Sequence, residues 1–429
     1  MSSYQGPVGA QDLPPPLATP PPPSSAPAGW YEDPWKQASW RWYDGAIWTG
    51  HIHGPPPTAA IPPPTPNGAV GNQLTRASTS AQGTPAVALV APPKKPFLPS
   101  FLSWPVVLTA IPGIGFMGFV LVTAFPAFLL GLVPLFIVMP VLLWIDRVEP
   151  EPLSARIHTF LWGTFVAGFI SVIVNTAVAR ALNETVAAVA SAPFIEEITK
   201  GLAVAWMVKR KEVDSPIDGI VYAGWSAMGF AMIENMNFFL FAFEEDMLVE
   251  VFIGRALLTP FAHPLFTMWT GLAIGLAVRA RKSPWNGLWG LALAMALHAA
   301  WNGSLTIGAT EGGAIITVIT ALLFIGLFIV AGIGVSRLNK RDEKRYAQLT
   351  PFLASRYGLD QNRVALLLDR KTRRRARITI TDKDRLKLFQ AEASAMVRLA
   401  ALFDHDNMPV PEDEARLFSQ LVAAREAAS

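Results

Sequence analysis

The sequence predicts an all-α polytopic membrane protein of about eight transmembrane helices with both termini cytoplasmic. Three observations carry this. Hydrophobic residues make up 52% of the 429 residues and charged residues only 16%, well below the roughly 25% charged of a soluble domain. Residues 101–145 contain no charge at all, and one span needs about 20 residues, so this run holds two helices. The charges between the apolar stretches then alternate in sign from loop to loop. The net charge of +3 is too small for a nucleic-acid binder. The chain has no cysteine, which excludes disulfides, thiolate chemistry and Cys-type zinc sites. No charged segment followed by an apolar run opens the chain, so a cleaved leader is not expected.

Residues 1–28 and 54–100 are rich in proline, with stretches such as PPPLATPPPP and GPPPTAAIPPPTP. They hold too little apolar material for a core and are expected to be extended and disordered. Between them, residues 29–53 carry Trp30, Trp35, Trp40, Trp42 and Trp48. Asp44-Gly45 is a tight-turn signal, so a small hairpin-like Trp-rich module is expected.

Residues 101–336 form the membrane region. The first two helices divide near Ala124–Pro126. Spans follow at about 159–179, 186–208, 217–243, 255–278, 285–305 and 314–336. Lys94, Lys95, Arg147, Arg156, Lys209, Arg210, Lys211, Arg279, Arg281, Lys282, Arg337, Lys340 and Arg341 fall on one side. The other side holds only Arg180 and Arg255 among Glu184, Glu244, Glu245, Asp246, Glu250 and Glu311. By the positive-inside rule the first side is cytoplasmic. Residues 337–429 are charged and helical in pattern. Their basic run at 371–377 reads as a solvated face or as a surface for anionic lipid.

Ionisable groups at mid-membrane are costly and concentrate at functional sites. The fourth span holds Glu196, Glu197 and Lys200; the fifth Glu234 and Asn235; the sixth His263 and Thr267; the seventh His298 and Asn302. At 1.5 Å per residue, Glu196, Glu234, His263 and His298 lie roughly 11–15 Å below the outer end of their helices. Four helices thus place a polar group in one layer. Glu196 and Lys200 are four residues apart, as are His263 and Thr267, and His298 and Asn302, so each pair shares a helix face. Pro193, Pro260 and Pro264 interrupt the backbone ladder beside these groups and free it to line a wet cavity. Asn175 reads as interhelical packing.

These parts suit amide hydrolysis, with a carboxylate to take a proton from water and imidazoles to polarise a carbonyl. They equally suit a three-ligand zinc site of His263, His298 and a Glu. No HExxH is present, and spacing alone does not choose between the two. Other classes using the same groups are a transporter or proton relay, and a catalytically silent membrane scaffold.

The motifs resemble the PrsW family of intramembrane proteases, within the wider CAAX-protease-like membrane group. The ordered pieces are Asp146-Arg147…Glu149-Pro150-Glu151-Pro152, Glu196-Glu197-x-x-Lys200, Asp218-Gly219-Ile220-Val221-Tyr222, Gly229-Phe230-x-x-x-Glu234-Asn235, His263-x-x-x-Thr267 and His298-x-x-x-Asn302. Ala223 stands where the family tends to have Gly. The resemblance implies that Glu196, Glu197, His263 and His298 are catalytic, with Lys200, Glu234, Asn235, Thr267 and Asn302 supporting. It leaves a metal such as Zn open. It implies a membrane-tethered protein substrate of the anti-sigma-factor type and a bacterial cell membrane. Residues 29–49 separately resemble a short Trp-rich bacterial module of unknown function.

Overall fold

A computed structural model describes residues 29–32, 40–43, 48–53, 102–310, 312–403 and 411–427. The two Pro-rich segments lie outside the described residues.

Residues 29–53 contribute three strands, Gly29–Glu32 (β1), Trp40–Tyr43 (β2) and Trp48–His53 (β3), in an antiparallel sheet of that order. Trp30 lies opposite Trp42, and Tyr43 opposite Trp48. A third strand extends the expected hairpin, because the aromatic stretch beginning at Gly29 pairs with the second strand as well.

The rest is helical. Trp104–Thr123 (α1) and Phe125–Ile145 (α2) part at Ala124, whose φ of −141° and ψ of 61° break the helix just ahead of Pro126. Leu153–Ala181 (α3) contains a π-helical stretch at Trp162–Ala167. Asn183 caps the next helical run, which passes through a π stretch at Ala187–Ser191 into Ala192–Lys209 (α4). A reciprocal cap between Ser215 and Asp218 starts Pro216–Glu244 (α5). A helical segment at 248–258 breaks at Thr259-Pro260-Phe261, and Ala262–Arg279 (α6) follows. Then come Leu288–Gly308 (α7) and Ala314–Tyr357 (α8).

The central helices pack closely because glycines face one another. A Cβ on Gly219 would stand 2.0 Å from the carbonyl oxygen of Gly271, and one on Gly271 2.1 Å from that of Gly219. This contact seats α5 against α6. On the other side of α5, Thr164 donates to the Gly229 carbonyl at 3.1 Å. Trp162 Nε1 donates to the Thr199 carbonyl at 3.0 Å, fixing α3 to α4.

Among the described residues six helices are long and apolar enough to cross a membrane, where the sequence reading expects eight: α1, α2, α3, α5, Leu248–Arg279 and α8. The helices at α4 and α7 form as expected but fall short in apolarity. They carry Glu196, Glu197 and Lys200, and His298 and Asn302, respectively. The protein is an integral membrane protein with multiple spans.

Beyond the membrane, Gln361–Leu368 (α9), Arg370–Thr379 (α10), Lys383–Ala401 (α11) and Pro411–Glu426 (α12) fold against the second half of α8. Asp360, Asp369 and Asp382 each cap a helix, accepting an amide three residues on at 2.7–2.8 Å. Leu353, Leu367, Met396, Leu399 and Phe403 form the core. The unit is tied to the membrane part: Tyr346 donates to Glu149, Arg373 to the Val148 carbonyl, and Arg398 pairs with Glu212 at 2.7 Å.

Candidate active site between α4, α5, α6 and α7

Four helices aim polar groups at one point. Glu197 and Lys200 are fully buried, His298 is 2% exposed and Glu196 4%. A buried charge must be paired and hydrogen-bonded, and Glu197 is both. Lys200 Nζ lies 2.5 Å from its Oε1, His298 Nδ1 lies 3.1 Å from the same oxygen, and Thr267 Oγ1 donates to its Oε2 at 2.8 Å. Lys200 Nζ also donates to His263 Nδ1 at 3.2 Å. His263 Nε2 in turn meets Glu234 at 2.8 Å.

These partners fix both tautomers, since an ionised carboxylate only accepts. His298 donates from Nδ1 to Glu197 and keeps a lone pair on Nε2. His263 donates from Nε2 to Glu234 and keeps one on Nδ1. Phe266 stacks on His298 with ring centres 4.9 Å apart, and Phe230 meets His263 edge-on at 5.2 Å. The rings have little freedom to turn.

Glu196 is different. Its Oε1 accepts from Asn175 at 3.2 Å, and Asn175 accepts from Ser191 at 2.8 Å. Its Oε2 is buried without a hydrogen bond among the described residues. His298 Nε2 and Lys200 Nζ are each 3.9 Å from it. Glu196, His263 and His298 each offer one ligand atom, all within 4.8 Å of one another. This orphaned oxygen and the imidazoles fit a zinc-type donor set of neutral His and carboxylate. Each imidazole is backed by a further carboxylate, as metal-binding His usually is.

A cavity of about 50 Å³ opens beside the cluster, lined by Glu234, Arg255, His263, His298, Trp301 and Asn302 among others. It is large enough for water.

Sequence reasoning placed Glu196, Glu197, Lys200, Glu234, His263, Thr267 and His298 together, and the structure brings them together. Asn235 reaches the cluster only through Arg255, which donates to it at 2.9 Å and pairs with Glu234. Asn302 lines the cavity but donates to the Ala188 carbonyl at 2.8 Å, away from the carboxylates. Two partners were missed. Arg255 counts as an outer-loop charge in the topology reading, although it lies within an apolar run. Asn175 reads as packing, although an amide inside an apolar helix can equally serve a buried carboxylate.

Residues 151–333 match the family model described as PrsW family intramembrane metalloprotease. Over this stretch the chain is similar to that family. All the residues of the cluster fall inside the stretch. Two relatives are similar to part of the chain. Protease PrsW of Geobacillus kaustophilus (strain HTA426) is 36% identical over 147 residues, 34% of this chain and 63% of that protein. Protease PrsW of Clostridioides difficile (strain 630) is 32% identical over 156 residues, 34% of this chain and 64% of that protein. The chain thus spans under two thirds of the length of either relative. Residues 28–64 match a family described as Protein of unknown function (DUF2510). No solved structure matches the chain. The matched stretch ends within the apolar half of α8, so α9–α12 lie outside it.

Proposed function

We propose that the protein is an intramembrane endopeptidase that hydrolyses a peptide bond in a membrane-tethered protein. The observation that carries this is the buried, unpartnered Oε2 of Glu196, facing the lone-pair nitrogen of His298 across 3.9 Å. In this reading Glu196 takes the proton of a water held in the adjoining cavity. Glu197 orients His298, Lys200 balances the excess negative charge, and Glu234 fixes the His263 ring. Where a metal is bound, Glu196, His263 and His298 would hold it, zinc by donor type, with Glu196 then a ligand in place of the base, and the ion would supply the Lewis acidity that activates the same water. The match to a metalloprotease family supports this. A regulator of the anti-sigma-factor type is the substrate the motif resemblance favours.

The same reading takes α4 and α7 as two further traverses, the fourth and seventh of eight along the chain, with both termini cytoplasmic. The loop charges support it.

The test is cleavage of a co-reconstituted single-span substrate by purified full-length protein. Glu196→Gln and His298→Ala are each expected to lower turnover by about 10²-fold or more, and His298→Ala to lower bound metal. Wild-type cleavage in both variants overturns the assignment.

A further inference from the structure

The cytoplasmic seam between α2 and α8 carries a second site. α8 has no charge from Ala314 to Val335; Arg337 is its first and Lys340 its second. Arg337 stands about 35 Å along the helix from Ala314, past a hydrocarbon core of about 30 Å and therefore at headgroup level. α2 ends at the same level. Trp144 is 43% exposed, and the Arg147 guanidinium lies 4.1 Å over its ring. A Trp there is an interfacial anchor.

Between the two helices runs a groove of about 390 Å³, lined by Trp144, Ile329, Ile333, Ser336, Arg337 and Lys340. Beside it α8 is held to α2 by Val335, packed with Val138 and Leu142, and by Asn339, which donates to the Ile145 carbonyl at 3.1 Å. Its walls stay open to the bilayer, with Ile329 56% and Ile333 47% exposed. Among the described residues no carboxylate pairs with Arg337 or Lys340. Below the groove Arg370 pairs with Glu343 of α8 at 2.8 Å. This brings the start of α10, with exposed Lys371, Arg374, Arg375 and Arg377, to the same face.

We propose that this groove binds an anionic phospholipid. The phosphate lies between Arg337 and Lys340, the glycerol region against Trp144, and an acyl chain along Ile329 and Ile333. A soluble anion would leave the apolar walls unused, and a zwitterionic lipid would add a cation to an already basic rim. Such basic pockets at the cytoplasmic ends of membrane helices suit anionic headgroups. The site is independent of the hydrolytic reading.

Native mass spectrometry of the full chain in detergent, titrated with phosphatidylglycerol or phosphatidylcholine, tests it. Phosphatidylglycerol is expected to be retained preferentially. The double variant Arg337→Gln/Lys340→Gln is expected to weaken its retention about tenfold or more, while Lys282→Gln on another cytoplasmic loop has no effect. Ile333→Trp, which fills the groove and keeps both cations, is expected to weaken it too; this variant decides the matter if the double variant melts early. Equal retention of the two lipids, indifference to Ile333→Trp, or displacement by millimolar inorganic phosphate would overturn the proposal.

Discussion

At the residue scale, the cluster sorts its carboxylates by how completely they are held. Glu197 engages neighbours with both oxygens, Glu196 keeps one free, and Glu234 answers to Arg255 and His263. Arg255 is the outlying member. Arg255→Ala leaves Glu234 without its strongest counter-charge and frees His263 to reorient. A supporting contact of this kind is worth about 10- to 100-fold in activity or metal affinity. The expected loss is in turnover rather than in substrate KM, measured on the reconstituted protein, with partial recovery in Arg255→Lys. Glu196, Glu197 and the two His were legible in the sequence because an ionisable group in the middle of an apolar helix is too costly to face lipid and must turn inward. Arg255 was not, because a charge near a span's end is equally at home in a loop.

Four carboxyls beyond the membrane, in the loop after α2 and ahead of α5, follow a different logic. Burial pushes Glu149 up to about 8 and Asp146 up to about 7, and raises Glu151 and Asp214 well above the usual carboxyl range. For an acid whose folded value is raised, the stabilisation is complete below its unfolded value and is lost as pH rises through the folded one. α8 rests on this loop through Tyr346 and Glu149, and α10 through Arg373 and the Val148 carbonyl. Their attachment is therefore expected to weaken between about pH 5 and 8. Hydrogen exchange across α9–α12 at several pH values checks this; protection that rises with pH contradicts it.

At the element scale, the two helices that supply the chemistry are the two that lack the apolarity of a span. α4 and α7 turn Glu196 and His298 inward, while Phe194 and Leu202 of the one and Leu288, Trp289, Leu305 and Ile307 of the other stay exposed. α5 and α6 approach closely enough to wall that inner face because of glycine. Gly219→Ala places a methyl about where the Gly271 carbonyl oxygen stands. The expected cost is about 1–3 kcal/mol, read as a lower melting temperature. A matched Ala at Gly254, where a Cβ meets nothing within 4 Å, costs far less. The division near Ala124 was legible from the length of the uncharged run, about twice one span, with Pro126 marking the place. The π stretches at Trp162–Ala167 and Ala187–Ser191 were not, because they answer to partners on other helices.

At the scale of the whole molecule, the membrane part was readable because its period and polarity are local properties of the chain. The docking of the soluble helices was not. Tyr346 and Glu149 are 197 residues apart, and nothing in either sequence neighbourhood names the other. What joins the two halves is α8, a single helix of 44 residues from Ala314 to Tyr357, about 66 Å long. A shaft of that length has no joint at the water boundary. A push or twist delivered to the soluble helices therefore turns the last membrane rod bodily, and with it the side of α7 against which that rod leans.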